Sequence, residues 1–150
     1  MNWLCKKFDD LTPHELYAIL QLRNIVFAVE QNCVYPDMDD KDQYCYHLMG
    51  WDINKLVAYT RLVPPGISYS EAAIGRVVTA PQARRSGFGK ELMKLSIDKC
   101  RELFSITIIK IGAQLYLKKF YESLGFIQTS HIYDEDGIDH IEMTLGQVLS

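Results

Sequence analysis

Arg84-Arg85-Ser86-Gly87-Phe88-Gly89-Lys90 is the sharpest local feature of the chain. It lies between a run ending near Thr79 that reads as a strand and an amphipathic stretch that reads as a helix. The first turn of a helix leaves backbone N–H groups unpaired, and its aligned peptide dipoles make that end electropositive. Gly87 and Gly89 carry no Cβ, so another group can approach the main chain closely. Arg84, Arg85 and Lys90 add positive charge, which opposes the helix dipole unless an anion sits beside it. Together these features make a site for a phosphate or pyrophosphate. Two common phosphate loops are excluded. Leu92 stands where G-x-G-x-x-G needs its third glycine, and no Lys-Ser or Lys-Thr follows as the G-x-x-x-x-G-K-[ST] loop requires. What remains is Arg-x-x-Gly-x-Gly at a strand-to-helix junction.

Other reactive types are less concentrated. Asp37, Asp39, Asp40 and Asp42 suggest calcium, but an EF-hand starting at Asp37 needs glycine at 42 and glutamate at 48, where Asp42 and Leu48 stand. A solvated acidic loop is expected instead; its functional variant would attract a cationic ligand. The four cysteines, at 5, 33, 45 and 100, form no C-x-x-C pair, and His14, His47, His131 and His140 are scattered. Reduced, mostly packed thiols are expected, and no metal site. His47 and His131 read as satisfied strand histidines.

The elements that must position these residues follow from pattern. Thr12-Pro13-His14-Glu15 is a capping box with proline at the first helical position, opening a helix over about 13 to 27. Glu30 to Gln43 is polar and turn-rich, a long loop. Strands are expected over 44–51 and 56–63, joined by a hairpin turn at Asp52-Ile53-Asn54-Lys55, and over 72–79, stopped by Pro81. From Phe88 to Phe104 polar and apolar residues separate onto two arcs of a helix, with Lys99 alone out of place. Ile106 to Ile111 is β-branched, typical of a strand buried on both faces. A short helix over 115–124 is closed by Gly125, and strands over 126–133 and 140–145 meet through a turn at Asp136-Gly137. The order β-α-β-β-β-α-β-α-β-β calls for a three-layer α/β sandwich with a mixed sheet.

The chain has 150 residues and a mass of 17.3 kDa, the size of one domain over 1–150. At 48% hydrophobic and 23% charged, it is neither disordered nor fibrous. Sixteen basic against nineteen acidic residues give a net charge of -3, which argues against a general nucleic-acid binder. No apolar run approaches the ~18 residues of a membrane span. The first ten residues lack the ~7–15-residue apolar stretch of a secretory signal. A cytosolic protein without nucleic-acid or membrane partners is expected.

The Arg84–Gly89 loop resembles the coenzyme A pyrophosphate loop of the Gcn5-related N-acetyltransferase (GNAT) superfamily. The superfamily's second motif, Phe-Tyr-x-x-x-Gly-Phe after a buried strand, stands here as Phe120-Tyr121-Glu122-Ser123-Leu124-Gly125-Phe126. Gln114 occupies the position seven before the tyrosine where members usually carry asparagine. Within the superfamily the chain is similar to the small bacterial ElaA-like group, through Leu20-Gln21-Leu22-Arg23, Val26-Phe27, Val29-Glu30-Gln31-Asn32-Cys33, Gly112-Ala113-Gln114 and Asp136-Gly137-Ile138. Asp139 stands where proline is expected. The match spans nearly the whole chain.

The resemblance implies a three-layer α/β/α sandwich with a mixed, mostly antiparallel central sheet. It implies an acetyl-CoA-dependent N-acetyltransferase, passing the acetyl group directly to a primary amine of a small molecule or peptide. The pyrophosphate would rest on the amides of Arg85, Ser86, Gly87, Phe88, Gly89 and Lys90 beside Arg84. The pantetheine arm would run along Val77, Val78 and Thr79 in a splay of the sheet, within reach of Gln114. The Val78 N–H would meet the negative charge developing on the acyl oxygen. Tyr121 would serve the leaving thiolate as general acid, a transfer uphill by roughly 2 kcal/mol in water from pKa values of ~10 and ~8.5. Glu30 and His140 are the candidate bases, acting directly or through water. Two other classes stay open: a non-catalytic acyl-CoA-binding sensor or scaffold, and an acyl-homoserine-lactone synthase. The latter has an Arg-x-x-x-Phe element like Arg23 to Phe27, though its two substrates call for a longer chain. The acceptor, the acyl-chain preference and the oligomeric state, monomer or homodimer, are not written in these residues.

Overall fold

Thr12 opens the first helix through a reciprocal cap. Its Oγ1 accepts from the Glu15 N–H at 3.1 Å, and the Glu15 carboxylate accepts from the Thr12 N–H at 2.8 Å. In this computed structural model, which describes residues 1–32 and 34–146, that helix is α1, Pro13–Arg23. It does not run on to 27 in regular form. From Asn24 to Glu30 the winding widens to a π-helical segment, a form often found at functional sites.

The strands are β1 (Asn2–Lys7), β2 (Tyr46–Asp52), β3 (Lys55–Val63), β4 (Ala72–Thr79), β5 (Ile109–Gln114), β6 (Ile127–Gln128), β7 (Tyr133–Glu135) and β8 (Ile138–Leu145). They form one mixed sheet in the order β1-β2-β3-β4-β5-β8-β6, with β7 also on β8. Among the described residues only the β4–β5 pairing is parallel. Alternation along β3 decides the layers. Val57 and Tyr59 face α1 with Ile19, Leu22 and Val26, while Leu62 faces α2 (Phe88–Phe104) with Met93, Ile97 and Cys100. Tyr121, on the short α3 (Lys118–Glu122), and Phe126 join that second core. The structure is the expected three-layer sandwich.

Two strands of the second half depart most from the sequence reading. The strand expected at 106–111 lies three residues later, because the chain leaves α2 through a left-handed Ser105 (φ +52°) and needs Ile106–Ile108 to return to the sheet. Its faces then alternate rather than being buried throughout. The strand expected at 126–133 is broken. The Ser130 hydroxyl accepts from the Glu142 N–H and donates to the His131 carbonyl, both at 2.8 Å, which takes the chain off the β8 ladder. On the buried face of α2 the polar Ser96 is satisfied by Thr60 Oγ1 and the Leu92 carbonyl, each at 2.7 Å.

Cys5, Cys45 and Cys100 are free thiols, and burial pushes Cys45 up to about 11 and Cys100 to about 12. Cys33 lies outside the described residues. Among the described residues no helix is long and apolar enough to cross a membrane.

Candidate active site

β4 departs from regular pairing where the site forms. Its register with β3 slips by one residue between Tyr59 and Arg61, and Arg76 takes a left-handed φ of +49°. Such a bulge bends a strand and adds twist. On its other edge β4 pairs with β5 only at Ala72–Ile109 and Ala73–Lys110, although the strands continue to Thr79 and Gln114. The edges part, and a cavity of about 450 Å³ fills the gap. Val77, Val78 and Thr79 line one side, Ile111, Gly112 and Gln114 the other, and Phe120 and Tyr121 close it. Ala80 N–H donates to the Val57 carbonyl at 2.7 Å. By ladder alternation Tyr59–Val78 is then the next hydrogen-bonded pair, and the Thr79 amide turns to the open side.

The cavity ends at the start of α2. Gly87 (φ +78°) is its N-cap, no side chain caps it, and its first intrahelical bond runs from the Glu91 N–H to the Gly87 carbonyl at 3.2 Å. A Cβ on Gly87 would meet nothing within 4 Å, and one on Gly89 only Phe120 Cζ at 3.9 Å. The open amides and the space over them suit a phosphate-sized anion. Arg84 and Gly89 line the cavity; Arg85, Ser86, Gly87, Phe88 and Lys90 lie outside its lining. Phe88 instead packs into the core under α1.

Two consecutive residues at the end of the π-helical segment reach across this mouth. Glu30 accepts both terminal nitrogens of Arg84 at 2.6 Å, and Arg84 Nη2 also donates to the Thr79 carbonyl at 3.3 Å. The hydrogen bonds and charge of Arg84 hold the Glu30 carboxyl below its ordinary range. Gln31 Oε1 accepts from Gln114 Nε2 at 3.1 Å.

Tyr121 is buried and packs edge-on to Phe120 and Phe126, with ring centroids 5.2 and 6.0 Å away. Burial pushes its phenol up to about 12. His140 lies opposite Gln114 on β8 and lines a neighbouring cavity of about 510 Å³. Its Nδ1 sits 2.7 Å from the Ile138 carbonyl and its Nε2 3.3 Å from the Glu135 carboxylate. The two cavities join at Phe27, Gln31, Ile74, Gly75, Arg76, Gly112 and Gln114. At Gly112 an added Cβ would come within 3.2 Å of the hydroxyls of both Tyr69 and Tyr133.

The aspartate loop is not a solvated acidic face. Asp37 accepts from Arg23 at 2.7 Å and Arg76 at 2.8 Å, Asp39 from Arg61 at two distances of 2.8 Å, and Asp42 from Arg23 and Arg61 at 2.8 and 2.9 Å. Burial alone would raise the carboxyls of Asp39 and Asp42, but the arginine bonds and charges outweigh it and hold both low. His47 is a satisfied strand histidine, between the Tyr59 hydroxyl (2.6 Å) and the Asp42 carbonyl (2.9 Å). His131 is exposed and lies between strands. Sequence reasoning missed Arg76, the arginine pairs of Asp37 and Asp39, and the contact of Gln31 with Gln114. The available signal was a lone arginine inside the apolar run Ala72-Ala73-Ile74-Gly75-Arg76-Val77-Val78.

The family model for the acetyltransferase (GNAT) domain matches residues 14–146. Protein ElaA of Escherichia coli is 38% identical over 145 residues, 95% of each chain. The crystal structure of E. coli ElaA superposes with a TM-score of 0.90 at 37% identity, covering 96% of this chain and 98% of that one. An acyl-CoA N-acyltransferase from Pseudomonas aeruginosa superposes with a TM-score of 0.91 at 40% identity, covering 97% and 99%. With a parted sheet leading to an uncapped, glycine-lined helix start, and relatives matching over 95% or more of the chain, the chain belongs to the GNAT acetyltransferase family, among the relatives of ElaA.

Proposed function

We propose that the protein is an acetyl-CoA-dependent N-acetyltransferase that acts on a primary amine of a small molecule or peptide. One observation carries the reading: the gap between β4 and β5 runs along Val77–Thr79 to the open amides at the start of α2. An extended arm of amides ending in a pyrophosphate is complementary to that path. The name of the P. aeruginosa relative agrees with it.

In this reading the first-turn amides from Gly87 to Lys90 receive the pyrophosphate, with Arg84 beside them. Thr79 and Gln114 offer amides to the pantetheine arm. Since the Val78 N–H is turned to Tyr59, the negative charge developing on the acyl oxygen falls to a main-chain amide of the Arg76–Val77 bulge. A fixed amide dipole in a dry site stabilises such charge without reorganising. Tyr121 keeps its proton and donates a hydrogen bond to the leaving sulfur. The amine enters from the neighbouring cavity, where His140 Nε2 takes its proton through water. Glu30 serves as base only when Arg84 lets go of it. The joined cavities support direct transfer with both substrates bound.

The test is mass spectrometry of purified protein incubated with acetyl-CoA and a panel of primary amines, amino acids, polyamines and peptides. Acetylated product with matching release of CoA thiol is expected. Acetyl-CoA binding by calorimetry without thiol release from any amine would leave a binding module instead. Lactone formed from acyl carrier protein and S-adenosylmethionine would make the chain a synthase.

A further inference from the structure

Arg76 is a long side chain in a backbone conformation that L-residues avoid, φ +49° in the middle of a strand. Such conformations persist where surrounding contacts over-determine them. Here the contacts are a fork. Nε donates to Asp37 Oδ1 at 2.8 Å, and Nη2 donates to the Asp37 carbonyl at 2.8 Å and to Asp39 Oδ2 at 3.3 Å. The two aspartates are themselves immobilised. Asp37 is gripped from its other side by the wholly buried Arg23, and Asp39 by the buried Arg61. Arg23 and Arg61 share one oxygen of Asp42, which closes the chain of charges against the core. An isolated exposed ion pair would add little, whereas a forked pair with buried anchors fixes an orientation.

We propose that Arg76 is a positioning residue for acyl transfer: its fork onto Asp37 and Asp39 holds the left-handed bulge of β4, which aims the neighbouring main-chain amides at the acyl carbonyl. The inference rests on the acetyl-CoA reading above and adds to it the device that sets the amide's direction. Misplacing a hydrogen-bond donor by a fraction of an ångström removes much of its effect on developing charge, so the bulge needs an anchor.

The test needs no acceptor. Isotope-edited infrared spectroscopy of [1-13C]acetyl-CoA reads the carbonyl stretch, which a well-aimed amide lowers relative to buffer. The wild type is expected to show the lowered band. Arg76→Ala, which keeps the unfavourable backbone and loses the fork, returns the band to its buffer position when read at saturating acetyl-CoA. Arg76→Lys, which keeps the charge but not the fork, behaves like Arg76→Ala and serves if the alanine variant does not fold. Arg76→Gly adopts a positive φ freely and recovers the lowered band. An unchanged band in Arg76→Ala or Arg76→Lys, or a glycine variant as impaired as alanine, overturns the inference while acetyl-CoA still binds. No acetyl-CoA binding to the wild type overturns the cosubstrate reading, and this inference with it.

Discussion

A phenol raised to about 12 by burial stays protonated through the range in which most proteins are assayed, so Tyr121 is a standing hydrogen-bond donor rather than a titrating acid. Tyr121→Phe is expected to lower kcat by about 10–100-fold and leave the acetyl-CoA Kd nearly unchanged; a weakened Kd with normal kcat would contradict this. The phenolate cannot donate, and this phenol is not the group that titrates near an ordinary tyrosine's ~10; an alkaline loss of activity near ~10 that Tyr121→Phe abolishes would count against this donor. Gly89→Val tests the other end of the site. A Cβ there meets only Phe120 Cζ at 3.9 Å, so the fold should tolerate valine while its methyls cover the first-turn amides. Calorimetry should show acetyl-CoA affinity reduced by about 100-fold or more, with melting temperature little altered. The glycine loop was legible in the sequence because its seven residues are contiguous. The aspartate–arginine chain was not, because its partners stand 14, 22 and 39 residues apart, and four aspartates in a row of turns look like any solvated loop.

At the scale of elements, local signals predicted well wherever they were self-contained. The Thr12–Glu15 box, the strand Ala72–Thr79 and the helix Phe88–Phe104 stand where patterning put them. Thr12→Ala should therefore cost about 1 kcal/mol in urea unfolding without affecting acetyl-CoA binding; no loss of stability would mean the cap is replaced by solvent. Where tertiary contacts decide, patterning failed. Ile106–Ile108 is β-branched yet serves as connector, because the left-handed exit at Ser105 sets where the chain can rejoin the sheet. The π-helical winding of Asn24–Glu30 left no mark on residue periodicity, although it delivers Phe27, Glu30 and Gln31 to the cavity.

For the molecule as a whole, stability should follow acid in two stages. Burial lowers the pKa of His47, so below an ordinary histidine's ~6.5 the unfolded chain binds a proton that the folded one refuses, and stability declines. Asp39 and Asp42 are held low by their arginines, so their stabilisation is present above the ordinary ~4 of a free aspartate and is lost as pH falls below it. Urea unfolding at pH 7.5, 5.5 and 3.5 should show a shallow fall followed by a steeper one; a flat profile would remove the charge chain from the account. The α/β sandwich was readable from the order of its elements, but not that β4 and β5 join over two residue pairs and then separate. That junction has a mechanical consequence. In its sheet pairing the molecule is two wings joined at one corner, β1 to β4 and β5 to β8, packed over a shared core on the α2 side. A guest that knits to both edges completes the protein's own architecture. Occupancy should then slow hydrogen exchange at Thr79 and Gln114 together, stiffening the wings as one body.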